Sequence, residues 1–138
     1  MLPCACANLR RAARVVTRMY NQALRPDGIE ITQFTLLMAL NLAGEISQGE
    51  LGELLALDST TLTRMLRLLK KSGWVRVREG DDRRQRLLCL TTAGRDKLQQ
   101  SKPHWKQAQE DLETALGRNT FDQLGGLLAE VGAACPGE

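Results

Sequence analysis

The chain has 138 residues, 43% of them hydrophobic, 25% charged and 4% aromatic, with a formal net charge of +3. That length suits one domain with a substantial buried core, and the composition excludes a disordered tail, a collagen-like repeat and a disulfide-stapled miniprotein. Apolar runs are as short as Phe34 to Leu40, far below the roughly 18 to 20 residues of a membrane-spanning helix, and a core rich in Leu and Ala but poor in aromatics suits helix-on-helix packing.

Charge is unevenly spread along the chain. It is +5 over residues 1–25, −6 over 26–63, +6 over 64–86 and −2 over 87–138. Nine Lys and Arg residues within the 23 positions of the third segment make a local field suited to a polyanion. The five arginines and missing acids of the first 25 residues resemble an organelle transit peptide in composition. An apolar stripe continuous with the rest of the chain's helical pattern assigns that stretch to the fold instead.

Leu9, Ala13, Val16, Tyr20 and Ala23 recur at three- and four-residue steps, which predicts an amphipathic helix ending before Pro26 and Gly28. Thr32 is the expected cap of a second helix with Phe34, Leu37, Met38 and Leu40 on its buried side and Gly44 at its end. Ser47 and Glu50 have capping-box spacing just ahead of Leu51, Leu54 and Leu55, so a short third helix is expected there. Asp58 can cap a fourth helix that runs to Lys71 or Ser72 and stops at Gly73. Leu62, Met65, Leu66 and Leu69 share one face of it, while Thr60, Thr63, Arg64 and Arg67 share the other. Short polar groups with arginines can enter a groove without apolar obstruction, and both residue types can donate to phosphates and base edges.

After Gly73 the period falls to two, with Val75 and Val77 alternating against Arg76 and Arg78. A polar turn from Glu79 to Gln85 and a returning strand at Leu88 and Leu90 complete a hairpin with a basic tip. Thr91 or Thr92 is expected to cap a long helix through Leu98, Trp105, Ala108, Leu112 and Leu116, kinked or split at Pro103. Asn119 or Thr120 is expected to cap a last helix carrying Phe121, Leu124, Leu128 and Val131. The fold class is therefore mainly α: about six helices with a two-stranded β wing, a winged helix-turn-helix.

The stretch Asp82-Arg83-Arg84-Gln85-Arg86-Leu87-Leu88-Cys89-Leu90-Thr91-Thr92-Ala93-Gly94 resembles the wing signature of the MarR family of transcriptional regulators. Thr61-Leu62-Thr63-Arg64 and Lys71-Ser72-Gly73-Trp74-Val75 are similar to that family's recognition helix and its exit. The resemblance covers nearly the whole chain. It implies a cytoplasmic homodimer on double-stranded DNA, with residues 1–28 and 95–138 forming the dimerisation helices and 29–94 the DNA-binding lobe. It also implies a repressor on a pseudo-palindromic operator, with Ser59, Thr60, Thr63, Arg64 and Arg67 at the major groove and Asp82, Arg83, Arg84 and Arg86 at the wing. Arg84 would enter the minor groove with its guanidinium held by Asp82, a turn-capping Asp82 being the alternative, and no cofactor or metal is called for.

The family's habit of answering small aromatic ligands or oxidants directs attention to two further sets. Tyr20, Met38, His104 and Trp105 are the candidate ligand pocket, with core packing as the alternative. Cys4, Cys6 and Cys135 are the candidate redox sensor; a soft-metal grip and three incidental thiols stay open beside it. Cys89 is expected to pack in the wing strand. Against an enzyme stand a single histidine and the lack of a phosphate-binding glycine loop, HExxH or CxxC. A winged helix serving only protein contacts would carry a neutral or acidic recognition face, the opposite of the charge present.

Overall fold

Residues 1–135, the part of the chain that the computed structural model describes, form six helices and three short strands. Helix α1 (Ala5–Leu24) ends in a 3-10 turn at Arg25–Asp27, and Gly28 reverses the chain with φ 65°. Helix α2 (Ile31–Ala43) starts earlier than Thr32 suggests. Gln33 Oε1 reaches back to accept the Glu30 amide at 3.0 Å, and Asn21 of α1 accepts the Ile31 amide at 2.7 Å. Two of the orphan donors of the first turn are thereby satisfied by partners other than a threonine hydroxyl.

Strand β1 (Ile46–Ser47) leads into α3 (Gln48–Leu55), whose cap is the expected reciprocal pair: Glu50 N donates to Ser47 Oγ at 3.2 Å and Ser47 N to Glu50 Oε2 at 3.0 Å. Ala56, with φ 52°, is the one non-glycine residue in the left-handed region among the described residues, and it turns the chain toward α4 (Ser59–Lys71). Asp58 caps α4 by accepting from Thr61 N at 2.9 Å and from Thr61 Oγ1 at 2.7 Å. Strands β2 (Val75–Glu79) and β3 (Arg86–Leu90) pair antiparallel from Val75 opposite Leu90 to Glu79 opposite Arg86. The two-stranded wing also gains a short neighbour. Ile46 and Ser47 pair with Leu88 and Leu87, giving a three-stranded sheet in the order β1-β3-β2.

Helix α5 (Thr92–Leu116) is capped by Thr91, whose Oγ1 accepts the Gly94 amide at 3.0 Å. A side chain at Gly94 would overlap the Trp74 carbonyl oxygen, so this position admits only glycine without a shift of the backbone. Pro103 does not split α5, which runs unbroken to Leu116. Helix α6 (Arg118–Ala134) starts from Gly117, and both Asn119 and Thr120 lie inside it rather than capping it.

The core lies between α2, α3, α4, the sheet and the first half of α5. Phe34, Leu36, Leu37, Leu40, Leu51, Leu62, Leu66 and Leu69 are all essentially inaccessible, with Val75, Leu88, Leu90 and Leu98 closing the cluster. Burial of this kind stabilises by about 1.5–3 kcal/mol per large apolar side chain. It seats α4 by its leucine face and leaves the other face outward.

Candidate nucleic-acid interface

Ser59, Thr60, Thr63, Arg64 and Arg67 are exposed on α4 and line one shallow depression, so the five expected groove-facing residues lie together. Thr61 is spent on the cap, and its two donors hold the Asp58 carboxyl below its ordinary value. Thr63 is tied across the turn: Gln48 Nε2 donates to its Oγ1 at 2.9 Å. The ion pairs among the described residues are Arg78–Glu45 and Lys106–Glu110, and His104 contacts Asp27. Arg64, Arg67, Arg83, Arg84 and Arg86 thus hold no carboxylate there and keep their full charge for an anion.

The tip of the wing is a closed turn. Gly80 N donates to Gln85 O and Gln85 N to Asp82 O, both at 2.8 Å. Asp82 Oδ1 accepts the backbone amide of Arg84 at 3.1 Å. The acid therefore holds Arg84 by its main chain and not, as expected, by its guanidinium. This is an Asx turn, in which a short side chain mimics a backbone acceptor two residues on. It sets the path of the tip and leaves the arginine fork unengaged. Near the tip end of β2, Arg78 makes a two-point contact with Glu45 ahead of β1, Nε lying 2.5 Å from Oε1, and its Nη1 donates to Glu79 O at 3.0 Å. The guanidinium holds the Glu45 carboxyl below the usual carboxylate range. Sequence reading placed Arg78 on the strand but not in this brace, because its partner lies 33 positions away.

Each of the candidate ligand residues has partners within the chain. Tyr20 donates from its hydroxyl to Gln109, and burial raises its phenol above the ordinary value. Trp105 stacks on Phe34 with ring centroids 5.5 Å apart, and Met38 packs half-buried against the core. His104 Nδ1 lies 2.7 Å from Oδ2 of the buried Asp27, whose carbonyl also accepts from Lys97. A concavity of about 610 Å³ beside α1 and α2 is lined by Arg18, Asn21, Gln22, Arg25, Gly28, Ile29 and Glu30, none of the four. Cys4, Cys6 and Cys135 are exposed free thiols at the ends of α1 and α6. Among the described residues no cluster of three metal-ligating side chains forms, so one chain does not assemble the three-cysteine grip. Cys89 is buried in β3 as expected.

The MarR family profile matches residues 27–85, from the 3-10 turn to the wing tip. The multiple antibiotic resistance protein MarR of Salmonella typhimurium is 37% identical over 109 residues, covering 78% of this chain and 74% of that protein. The chain belongs to the MarR family. This MarR-family chain is similar throughout to the M. tuberculosis regulator MosR solved in complex with DNA, at TM-score 0.86 and 36% identity over 95% of both chains. A cysteine-to-serine variant of E. coli MarR complexed with operator DNA matches at TM-score 0.83 and 29% identity over 91% of both chains. The chain spans from 54% to 76% of the length of the curated relatives compared. It is a DNA-binding transcriptional regulator of the MarR family and not an enzyme.

Proposed function

We propose that this MarR-family chain binds a pseudo-palindromic operator as a homodimer in the cytoplasm and acts as a repressor, α4 lying in the major groove and Arg84 in the neighbouring minor groove. The observation that carries this reading is the outward face of α4, where Ser59, Thr60, Thr63, Arg64 and Arg67 stand exposed with no carboxylate against the arginines among the described residues. Thr63 and Arg64 are the base-edge readers, and Ser59 and Thr60 sit where a helix N-terminus favours phosphate. Arg83 and Arg86 supply backbone charge, while Asp82 shapes the tip that presents Arg84. A narrow A·T-rich minor groove concentrates negative potential and attracts such an arginine.

Two-fold pairing is supported by the terminal helices. Helix α6 has no buried residue, and Leu9, Val15, Leu127, Leu128 and Val131 are exposed. Stripes of this kind on residues 1–28 and 95–138 suit burial against their equivalents in a second copy. The exposed thiols of Cys4, Cys6 and Cys135 favour release by an oxidant over release by a ligand at Tyr20, Met38, His104 and Trp105.

Selection of sequences from a random duplex library should return inverted half-sites about 10 base pairs apart. On the selected site, Arg84→Ala should weaken binding by about 1–3 kcal/mol and lower the salt slope by about one. Anisotropy titrations at several salt concentrations that give unaltered affinity and slope would refute the wing assignment. Oxidation of Cys4 and Cys6, confirmed by mass spectrometry, should lower operator affinity; an unchanged affinity removes the oxidant reading.

A further inference from the structure

We propose that Gln48 biases which base edge Thr63 reads, because its carboxamide donates to Thr63 Oγ1, occupies one of its two lone pairs and so favours donation of the hydroxyl hydrogen toward an acceptor in the major groove. The inference rests on α4 being the groove-reading helix, as proposed above.

A threonine hydroxyl has one hydrogen and two lone pairs and rotates to suit its surroundings. Left alone, it bonds a donor or an acceptor with little preference and so discriminates poorly. Thr63 is not left alone: Gln48 Nε2 lies 2.9 Å from its Oγ1, reaching from the first position of α3 to the fifth residue of α4. With one lone pair held by that N–H, the hydroxyl hydrogen turns away from Gln48. Neighbouring residues mark Thr63 out. The Thr61 hydroxyl donates inward to Asp58, and Thr60 has no side-chain hydrogen bond among the described residues. Gln48 is also free for this role, since Ser47 and Glu50 satisfy the cap of α3 between themselves. It lines the groove between α3 and α4 beside Asp58 and Ser59, while Thr63 lines the depression that holds Arg64. Acceptors on the major-groove edge are guanine N7 and O6, adenine N7 and thymine O4; cytosine N4 and adenine N6 are donors. Thr63 should therefore prefer the first group.

The test uses the full chain and its selected operator, changed one base pair at a time, and reads the ratio of affinities for the preferred and substituted pairs. Thr63→Val and Gln48→Ala should each lower that ratio about threefold to tenfold at the same symmetry-related pair and nowhere else. Gln48→Glu should reverse it. A carboxylate has no hydrogen to give, so it takes the hydroxyl's and leaves Oγ1 to accept from a base donor. The added charge weakens binding to every sequence alike and cancels in the ratio. If Gln48→Ala leaves the ratio intact where Thr63→Val abolishes it, or lowers only the melting temperature, Gln48 is a mere staple between helices and the inference falls. Retention of the acceptor preference by Gln48→Glu also overturns it. Failure of the unmodified chain to select any sequence refutes the function proposed above, and this inference with it.

Discussion

In the lobe between Ile29 and Gly94, Leu36, Leu37, Leu40, Leu51, Leu66 and Leu69 have no accessible surface, whereas α6 buries none of its 17 residues and α1 buries only Tyr20 and Leu24 of its 20. Both regions carry regular apolar stripes. The lobe's stripes meet each other within one chain, and those of the terminal helices end at its surface: Leu127 is 58% exposed and Leu128 50%. The difference teaches that a helix's periodicity reports a face to be covered without reporting what covers it. In the lobe the covering surface is encoded nearby, in caps and turns that set adjacent helices against one another. At the termini no such surface is present among the described residues, and the pairing proposed above would supply it.

The contrast can be broken most sharply at the core. Leu66→Ala should destabilise the chain by about 2–5 kcal/mol in urea titrations, the range for emptying a close-packed leucine site. Leu128→Ala should cost far less under conditions where the protein is monomeric, and equal losses would erase the distinction. Next in size, Leu128→Glu should shift the monomer–dimer midpoint at least tenfold in sedimentation experiments while leaving helical content unchanged, because a carboxylate would be placed in an apolar interface. A wild-type chain that stays monomeric at every concentration would overturn the pairing of the termini.

Asp58→Ala removes the cap of α4 and should lower stability by about 1 kcal/mol in thermal melts, with amide exchange fastest in the first turn of that helix. The smallest effect concerns pH. Arg78 holds the Glu45 carboxyl below its ordinary value, so this contact stabilises the fold above the unfolded pKa and is lost as pH falls through the folded one. The melting temperature of the wild type should therefore decline slightly more than that of Glu45→Gln as pH drops below about 4.5, and salt should narrow the gap, since both side chains are solvent-exposed. Parallel curves for the two proteins would show that the wing brace contributes nothing.

Periodicity made α4 legible, because its leucine and threonine–arginine faces separate at helical spacing, and Asp58 and Ser47 are strong caps whose partners lie three residues on. The start of α2 was missed because Glu30 is held through the Gln33 side chain and its neighbour through Asn21 of another helix, whereas Thr32 merely had the right residue type. Strand β1 escaped notice since two residues are too few to display alternation and its pairing partners, Leu87 and Leu88, lie far along the chain. Asn119 and Thr120 have cap chemistry, yet Gly117 with φ 81° already starts α6. At the wing, the sequence pointed to Asp82 and Arg84 as a pair but could not tell a backbone amide from a guanidinium as the bonded group. The contacts of Gln48 and Arg78 carried no signal, since their partners Thr63 and Glu45 lie 15 and 33 positions away.

Helix α5 belongs to both regions. Its first turn is pressed against Trp74 at the exit of α4, Leu98 is locked in the lobe core, and Gln109 is bonded to Tyr20 of α1. At 1.5 Å per residue its 25 residues form a rod of about 37 Å. Pivoted at its Leu116 end, such a rod acts as a lever arm: a tilt of about 5° would carry its first turn through about 3 Å. That displacement is comparable to the reach of a single hydrogen bond, enough to lift a reading head off its script.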